Sequence, residues 1–142
     1  MANELMILFF MDDNNKANSF EDLIVWKKSI QLVLTIYKEM KDCKDFGFKD
    51  QIQRAAVSIP SNIAEGFERN SDKEFIQYLY ISRGSCAEVR TQIYLAISLN
   101  YLQKEKGTEL LNKTIDISKM IYKLIEYRKK TVKKTANVME SK

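Results

Sequence analysis

The chain has 142 residues, 45% of them hydrophobic and 30% charged, with a net charge of +4 and no histidine. This length is enough for one domain with a buried core. The lack of histidine excludes Ser-His and Cys-His nucleophiles, and four Gly and one Pro are too few for a many-stranded fold, which needs frequent turn residues.

The first eleven residues, MANELMILFFM, contain a short apolar run. The run from Leu5 to Met11 is shorter than the roughly 20 residues that cross a bilayer, and Glu4 stands where a signal peptide carries a basic residue. We therefore expect no membrane partner and a flexible N-terminal extension over residues 1–18. The alternative is a segment that docks on a partner subunit.

A first helix is predicted from Phe20 to Lys41, because Ser19 and Asp22 match an N-capping pattern and apolar residues follow at helical spacing. Its predicted inward face is Phe20, Leu23, Trp26, Ile30, Val33, Leu34, Tyr37 and Met40. The apolar residues off this face are Val25, Leu32 and Ile36.

A second helix is predicted from Lys49 to Glu68, after a turn that contains Gly47. Its inward face is Ile52, Ala55, Ala56, Ile59, Ile63 and Phe67. Pro60 lies within this helix and predicts a kink or a helix start there. The hydroxyls of Ser58 and Ser61 could satisfy the freed backbone groups.

A third helix is predicted from Asp72 to Tyr101, capped by Ser71, and a fourth from Thr108 to Lys133, after a turn around Gly107. The predicted inward face of the third helix is Phe75, Ile76, Leu79, Ser82, Arg83, Cys86, Val89, Ile93, Ala96 and Ile97. The predicted inward face of the fourth helix is Leu110, Leu111, Thr114, Ile117, Ile121, Leu124 and Ile125. Small residues around Gly84 predict that two helices approach closely there.

Four helices joined by short turns predict an all-α, antiparallel up-down-up-down four-helix bundle over residues 19–134, with a flexible C-terminal tail over residues 135–142. Several helices carry apolar residues on a second face, which one bundle core cannot bury. These second faces predict self-association into a homo-oligomer.

Charged and hydroxyl side chains cluster near the middle of the second and third helices. The predicted structural polar centre comprises Ser58, Ser61, Asn62, Glu65, Arg83, Ser85 and Glu88. Because Gly66 and Gly84 would lie at similar depth in an antiparallel hairpin, Glu65 could meet Arg83 in a partly buried ion pair. A di-metal carboxylate site is disfavoured, because such bundles use Glu-x-x-His motifs.

Basic residues concentrate at the end of the chain. Residues 119–142 carry eight Lys/Arg and two Glu, a net charge of +6, so the preceding 118 residues sum to −2. Interleaved with tyrosines, such a surface can bind RNA or DNA, although a solvated helix end explains it equally well. The candidate nucleic-acid-binding residues are Lys123, Arg128, Lys129, Lys130, Lys133 and Lys134.

The two cysteines, Cys43 and Cys86, are far apart and form no CxxC motif. They predict reduced thiols in a cytoplasmic protein, with no redox pair and no zinc site. We expect no catalytic residues, no metal and no cofactor.

Three motifs carry a family resemblance. They are Gln51–Val57 followed by Ser58–Gly66; Phe20–Leu23 with Val25 and Trp26; and Arg83–Ser85 with Glu88 and Gln92. Over residues 19 to about 130, the sequence resembles the four-helix-bundle proteins encoded in intervening sequences of 23S ribosomal RNA genes.

That resemblance implies a homopentamer of four-helix bundles. The related accessory variability proteins of diversity-generating retroelements are similar in fold, and they contact a reverse transcriptase and nucleic acid through basic surface. Two functions follow as expectations. One is a non-catalytic oligomer that binds nucleic acid, and the other is a protein–protein scaffold that recruits an enzyme through apolar helix faces.

Overall fold

The computed structural model describes residues 17–142, so the predicted N-terminal extension lies almost wholly outside the described residues. A 3₁₀ turn spans Phe20–Asp22, and four helices follow: α1 Ile24–Glu39, α2 Phe46–Glu68, α3 Asp72–Ser98 and α4 Lys104–Glu140. Residues 17–142 contain no strand, and the all-α fold with four helices is confirmed. Within the same residues, no helix combines the length and the apolarity needed to span a membrane.

Asp45 caps α2 and ties its start to the turn that follows α3. One carboxylate oxygen accepts the N–H of Phe48 at 3.1 Å, and the other accepts the hydroxyl of Tyr101 at 2.7 Å. The hydrogen bond from Tyr101, and then that from Phe48, hold the pKa of Asp45 below its usual value. This cap starts α2 at Phe46 rather than at the predicted Lys49.

The turn between α3 and α4 comes earlier than predicted. Asn100 adopts a left-handed conformation with φ of 60°, and the next two N–H groups donate to the Ala96 carbonyl at 2.8 and 3.2 Å. Gly107, predicted to be a turn residue, is instead buried in the first turns of α4. A Cβ there would collide with Ile97, so this glycine allows α3 and α4 to pack closely.

The C-terminal helix is longer than its apolar pattern predicts. α4 passes the predicted end at Lys133 and continues to Glu140, so most of the predicted tail is helical. No Gly or Pro follows Gly107 to stop the helix. Residues 133–142 are all exposed, and this end of α4 therefore presents its side chains to solvent.

The inward face of α1 is confirmed only in part, since Leu23, Trp26 and Val33 pack against the core as predicted. The core contains Val25, Leu32 and Ile36, which the pattern placed off the face, whereas Tyr37 is exposed. Met40 is buried as predicted. Since α1 is apolar on more than one side, a three-and-four spacing fits two faces, and contacts with α2 and α4 decide which one is buried.

The inward faces of the other three helices are largely confirmed. Partly buried members of these faces are Phe67, Ile76, Ile97 and Leu124. Buried members are Ile52, Ala55, Ala56, Ile59, Ile63, Phe75, Leu79, Ser82, Cys86, Val89, Ile93, Ala96, Leu110, Leu111, Thr114, Ile117, Ile121 and Ile125. Arg83 departs from the pattern, because it is exposed.

α3 packs against both α2 and α4. A Cβ added to Gly66 of α2 would lie 2.5 Å from the Cβ of Tyr78, so only glycine allows this approach. Further along, Ser58 contacts Ser85, and this reversed order makes α2 and α3 antiparallel. The predicted close approach at Gly84 is absent from the described chain, since a Cβ there would meet no atom within 4 Å.

Candidate functional site

A chain of hydrogen bonds crosses from α2 to α3 beside Pro60. Asn62 donates to the Ser58 hydroxyl at 2.9 Å, and the Ser58 and Ser85 hydroxyl oxygens lie 2.8 Å apart. Ser85 also donates to the carbonyl of Ile81 at 3.2 Å. Because a hydroxyl has one proton and Ser85 gives its proton to Ile81, Ser58 must be the donor to Ser85. Ser58 in turn accepts from Asn62. Three residues of the predicted polar centre are therefore joined in one continuous path.

Side chains also donate hydrogen bonds to two backbone carbonyls next to this path, those of Ser58 and Ile59. Asn62 donates a second bond to the Ser58 carbonyl at 2.8 Å, and buried Ser82 donates to the Ile59 carbonyl at 2.9 Å. The sequence predicts that the hydroxyls of Ser58 and Ser61 satisfy the backbone groups freed by Pro60, such as the carbonyl of Ala56. Ser58 bonds to Ser85 instead, and Ser61 is exposed.

The predicted ion pair between Glu65 and Arg83 does not form. Glu65 accepts from Arg69 at 3.0 Å and from the Tyr78 hydroxyl at 3.2 Å, whereas Arg83 lies over the Tyr122 ring, 5.0 Å from its centroid. The prediction placed Gly66 opposite Gly84, but Gly66 lies against Tyr78, so the true register differs by more than one turn. Glu88, also assigned to the polar centre, is exposed.

Two of the six candidate nucleic-acid-binding residues have charged or aromatic partners within residues 17–142. Arg128 donates to Asp72 at 2.7 Å and lies 5.1 Å from the centroid of the Phe75 ring. Lys129 lies over the Tyr80 ring and 3.5 Å from Glu126, and its contact with Tyr80 is the main cause that raises its pKa. These contacts give Arg128, and in part Lys129, a structural role.

The other four candidates, Lys123, Lys130, Lys133 and Lys134, are exposed. No carboxylate of residues 17–142 forms an ion pair with any of them. Their charge is available to an external anion.

A basic groove between α3 and α4, with a volume of about 390 Å³, was not predicted from the sequence. Its lining residues are Arg83, Arg90, Ile115, Ser118, Lys119, Tyr122 and Lys123. The spacing of Arg83 and Arg90 puts both on one face of α3, and Lys119 and Lys123 likewise share a face of α4. Each pair can be found from its spacing in the sequence. The two pairs lie next to each other only because α3 packs against α4.

Within residues 17–142, no group of three or more His, Cys, Asp or Glu side chains could hold a metal ion. Cys43 and Cys86 are both free thiols. Burial raises the pKa of the Cys86 thiol to about 12, so it remains protonated and unreactive at neutral pH.

The sequence profile of one family, described as 23S rRNA-intervening sequence protein, matches residues 21–123. The fold is also similar to a crystal structure of a protein of unknown function, from the S23 ribosomal protein family of Bacteroides thetaiotaomicron. The TM-score is 0.68 at 28% identity, and the match covers 72% of this chain and 98% of that chain. No curated protein is significantly similar to the chain.

The partners of Arg128 predict that its replacement acts on stability. Arg128→Ala removes a half-buried ion pair and a ring contact that join α4 to α3, and we expect a loss of about 1–2 kcal/mol in the free energy of unfolding. Lys130→Ala, an exposed neighbour, should change it by less than about 0.5 kcal/mol. Urea denaturation of both variants at one protein concentration makes the measurement, and equal midpoints would contradict this role for Arg128.

Proposed function

The chain belongs to the 23S rRNA-intervening sequence protein family, and from this premise we propose that it is a non-catalytic oligomeric bundle protein that binds RNA or DNA through the basic surface of α4. The observation that carries this proposal is a row of exposed lysines that form no ion pair with any carboxylate of residues 17–142. The lysines are Lys119, Lys123, Lys130 and Lys134, and exposed Tyr127 lies between them. We call these five residues the α4 basic row.

The α4 basic row follows one side of the helix. Its members are spaced by four, four, three and four residues, which keeps them on one face. Between Lys119 and Lys134 the row extends about 22 Å at the rise of an α-helix. A straight line of positive charge on a rigid helix matches the regular negative charge of a phosphate backbone.

Several copies of this row would act together in an assembly. The antiparallel contacts of α2 with α3 support an up-down-up-down order for the four helices, and the family resemblance supports a homopentamer. Weak contacts made by several subunits at once give useful avidity. The two free thiols favour a cytoplasmic location.

The outer face of α3 is the surface that we assign to self-association. Four large side chains are exposed there: Tyr80 at 45%, Ile81 at 52%, Tyr94 at 61% and Leu95 at 48%. Gly84 lies among them with open space around it, so another helix could approach closely at this point. Apolar surface concentrated in this way is typical of an interface.

The same apolar face favours a second candidate function, a protein–protein scaffold or accessory subunit that recruits an enzyme. The two functions differ in their dependence on α4. A variant that lacks residues 128–142 and still binds the partner enzyme would favour the scaffold.

Nucleic-acid binding should depend on the exposed end of α4. In the triple variant Lys130→Ala, Lys133→Ala, Lys134→Ala, we expect weaker binding to an oligouridylate of about 20 nucleotides, because three phosphate contacts are lost. The slope of log K against log salt should become shallower by about 2. Fluorescence anisotropy between about 50 and 200 mM salt gives this slope.

The matched control replaces three exposed lysines in and just after α1 by alanine: Lys28, Lys38 and Lys41. It removes the same charge from another surface and should leave the slope near that of the wild type. Equal losses in both triple variants would contradict a specific role for α4, and no binding by the wild type at low salt would contradict the proposed function.

Self-association should depend on the outer face of α3. Ile81→Glu places a charge in the proposed interface and should shift the assembly to smaller species, whereas Ile24→Glu makes the same change at a 63% exposed site on α1 and should not. Sedimentation velocity at micromolar concentration distinguishes them. A wild-type mass equal to one chain, or an unchanged mass for Ile81→Glu, would contradict this interface.

A further inference from the structure

The groove between α3 and α4 brings positive charge together from two helices. Arg83 and Arg90 line it from α3, and Lys119 and Lys123 line it from α4. No carboxylate is among its lining residues. Four like charges around one groove repel each other, so an anion that enters is attracted by all four.

The groove is also lined by an aromatic ring and an apolar side chain. Tyr122 is 47% exposed, and the guanidinium of Arg83 lies 5.0 Å from its ring centroid. Ile115 and buried Ser118 also line the groove. Nucleic-acid bases stack both on aromatic rings and on guanidinium planes, so Tyr122 and Arg83 together provide a platform for a planar base.

A ring, a guanidinium plane and three further cations suit a ligand that joins a base to phosphates. The groove volume of about 390 Å³ lies in the usual range for sites that hold small molecules. Two of its cations, Lys119 and Lys123, also begin the α4 basic row. A strand whose base enters the groove could therefore continue along α4 with its phosphates next to Lys130 and Lys134.

We propose that this groove holds one unpaired nucleotide of a single-stranded nucleic acid, with the base against Tyr122 and Arg83 and the adjoining phosphates against Arg90, Lys119 and Lys123. The proposal rests on the proposed nucleic-acid-binding function and makes it specific. A base inside a duplex is already paired and stacked, so only an unpaired base reaches the ring without the cost of unstacking.

The experiment uses the full chain and a fluorescein-labelled oligouridylate of about 20 nucleotides. Tyr122→Leu removes the ring and should weaken binding roughly tenfold, the size of effect typical of one lost base–aromatic stack. Tyr122→Phe keeps the ring and should bind as the wild type does. Tyr37→Leu makes the same change on α1, where the tyrosine is 45% exposed, and should have no effect.

Three further comparisons test the phosphate contacts, the need for an unpaired base and the source of the nucleotide. In the double variant Lys119→Ala, Lys123→Ala, the salt slope should become shallower by about 1.4, as expected for two single-strand phosphate contacts. An RNA duplex of the same length should bind wild type and Tyr122→Leu equally. Free uridine monophosphate should compete only weakly, because it lacks the phosphates that follow along α4.

Three results would overturn the proposal. If the wild type binds the oligonucleotide and Tyr122→Leu binds it equally well, the groove is not the base site, although the function of α4 stands. If uridine monophosphate competes at the same concentration as the oligonucleotide, the groove serves free nucleotides. If the wild type binds no nucleic acid at low salt, the proposed function fails and the groove proposal with it.

Discussion

Ser82, buried in α3, donates its hydroxyl proton to the carbonyl of Ile59 in α2 across 2.9 Å. A hydroxyl buried in an apolar core loses its hydrogen bonds to water, so it must be paired within the protein. A slide of α3 along α2 would break this bond and also separate Ser58 from Ser85. Gly66 adds a steric condition, because only a residue without a Cβ atom lets the α2 backbone approach Tyr78 so closely. Together these contacts fix one register for α2 and α3.

That register decides which side chains α3 presents to α4. Arg83 follows Ser82 directly, so when Ser82 points at α2, Arg83 is turned about 100° around the helix and reaches Tyr122 of α4. Arg90, two turns later, lies on the same side. The basic groove therefore depends on the register that the contacts between α2 and α3 fix, and the charge available for a ligand depends on the packing of the bundle.

Much of the fold follows from the sequence, because apolar spacing and caps are local signals. Three of the four inward faces and the cap at Ser71 could be read in this way. The exceptions depend on contacts between helices. The face of α1 is ambiguous because the helix is apolar on two sides, and the ion pair of Arg83 was predicted wrongly because the register of α2 and α3 depends on Gly66. The groove combines two helix faces whose meeting no local pattern specifies.

The register of α2 against α3 can be measured by cross-linking. In a chain with Cys43→Ala and Cys86→Ala, the pair Ser58→Cys and Ser85→Cys should form an intrachain disulfide under mild oxidation, because the two hydroxyl oxygens lie 2.8 Å apart. Ser58→Cys with Gln92→Cys matches the register in which Gly66 faces Gly84, and it should remain reduced. Mass spectrometry of the oxidised chains distinguishes them. A disulfide in the second pair and none in the first would contradict the account.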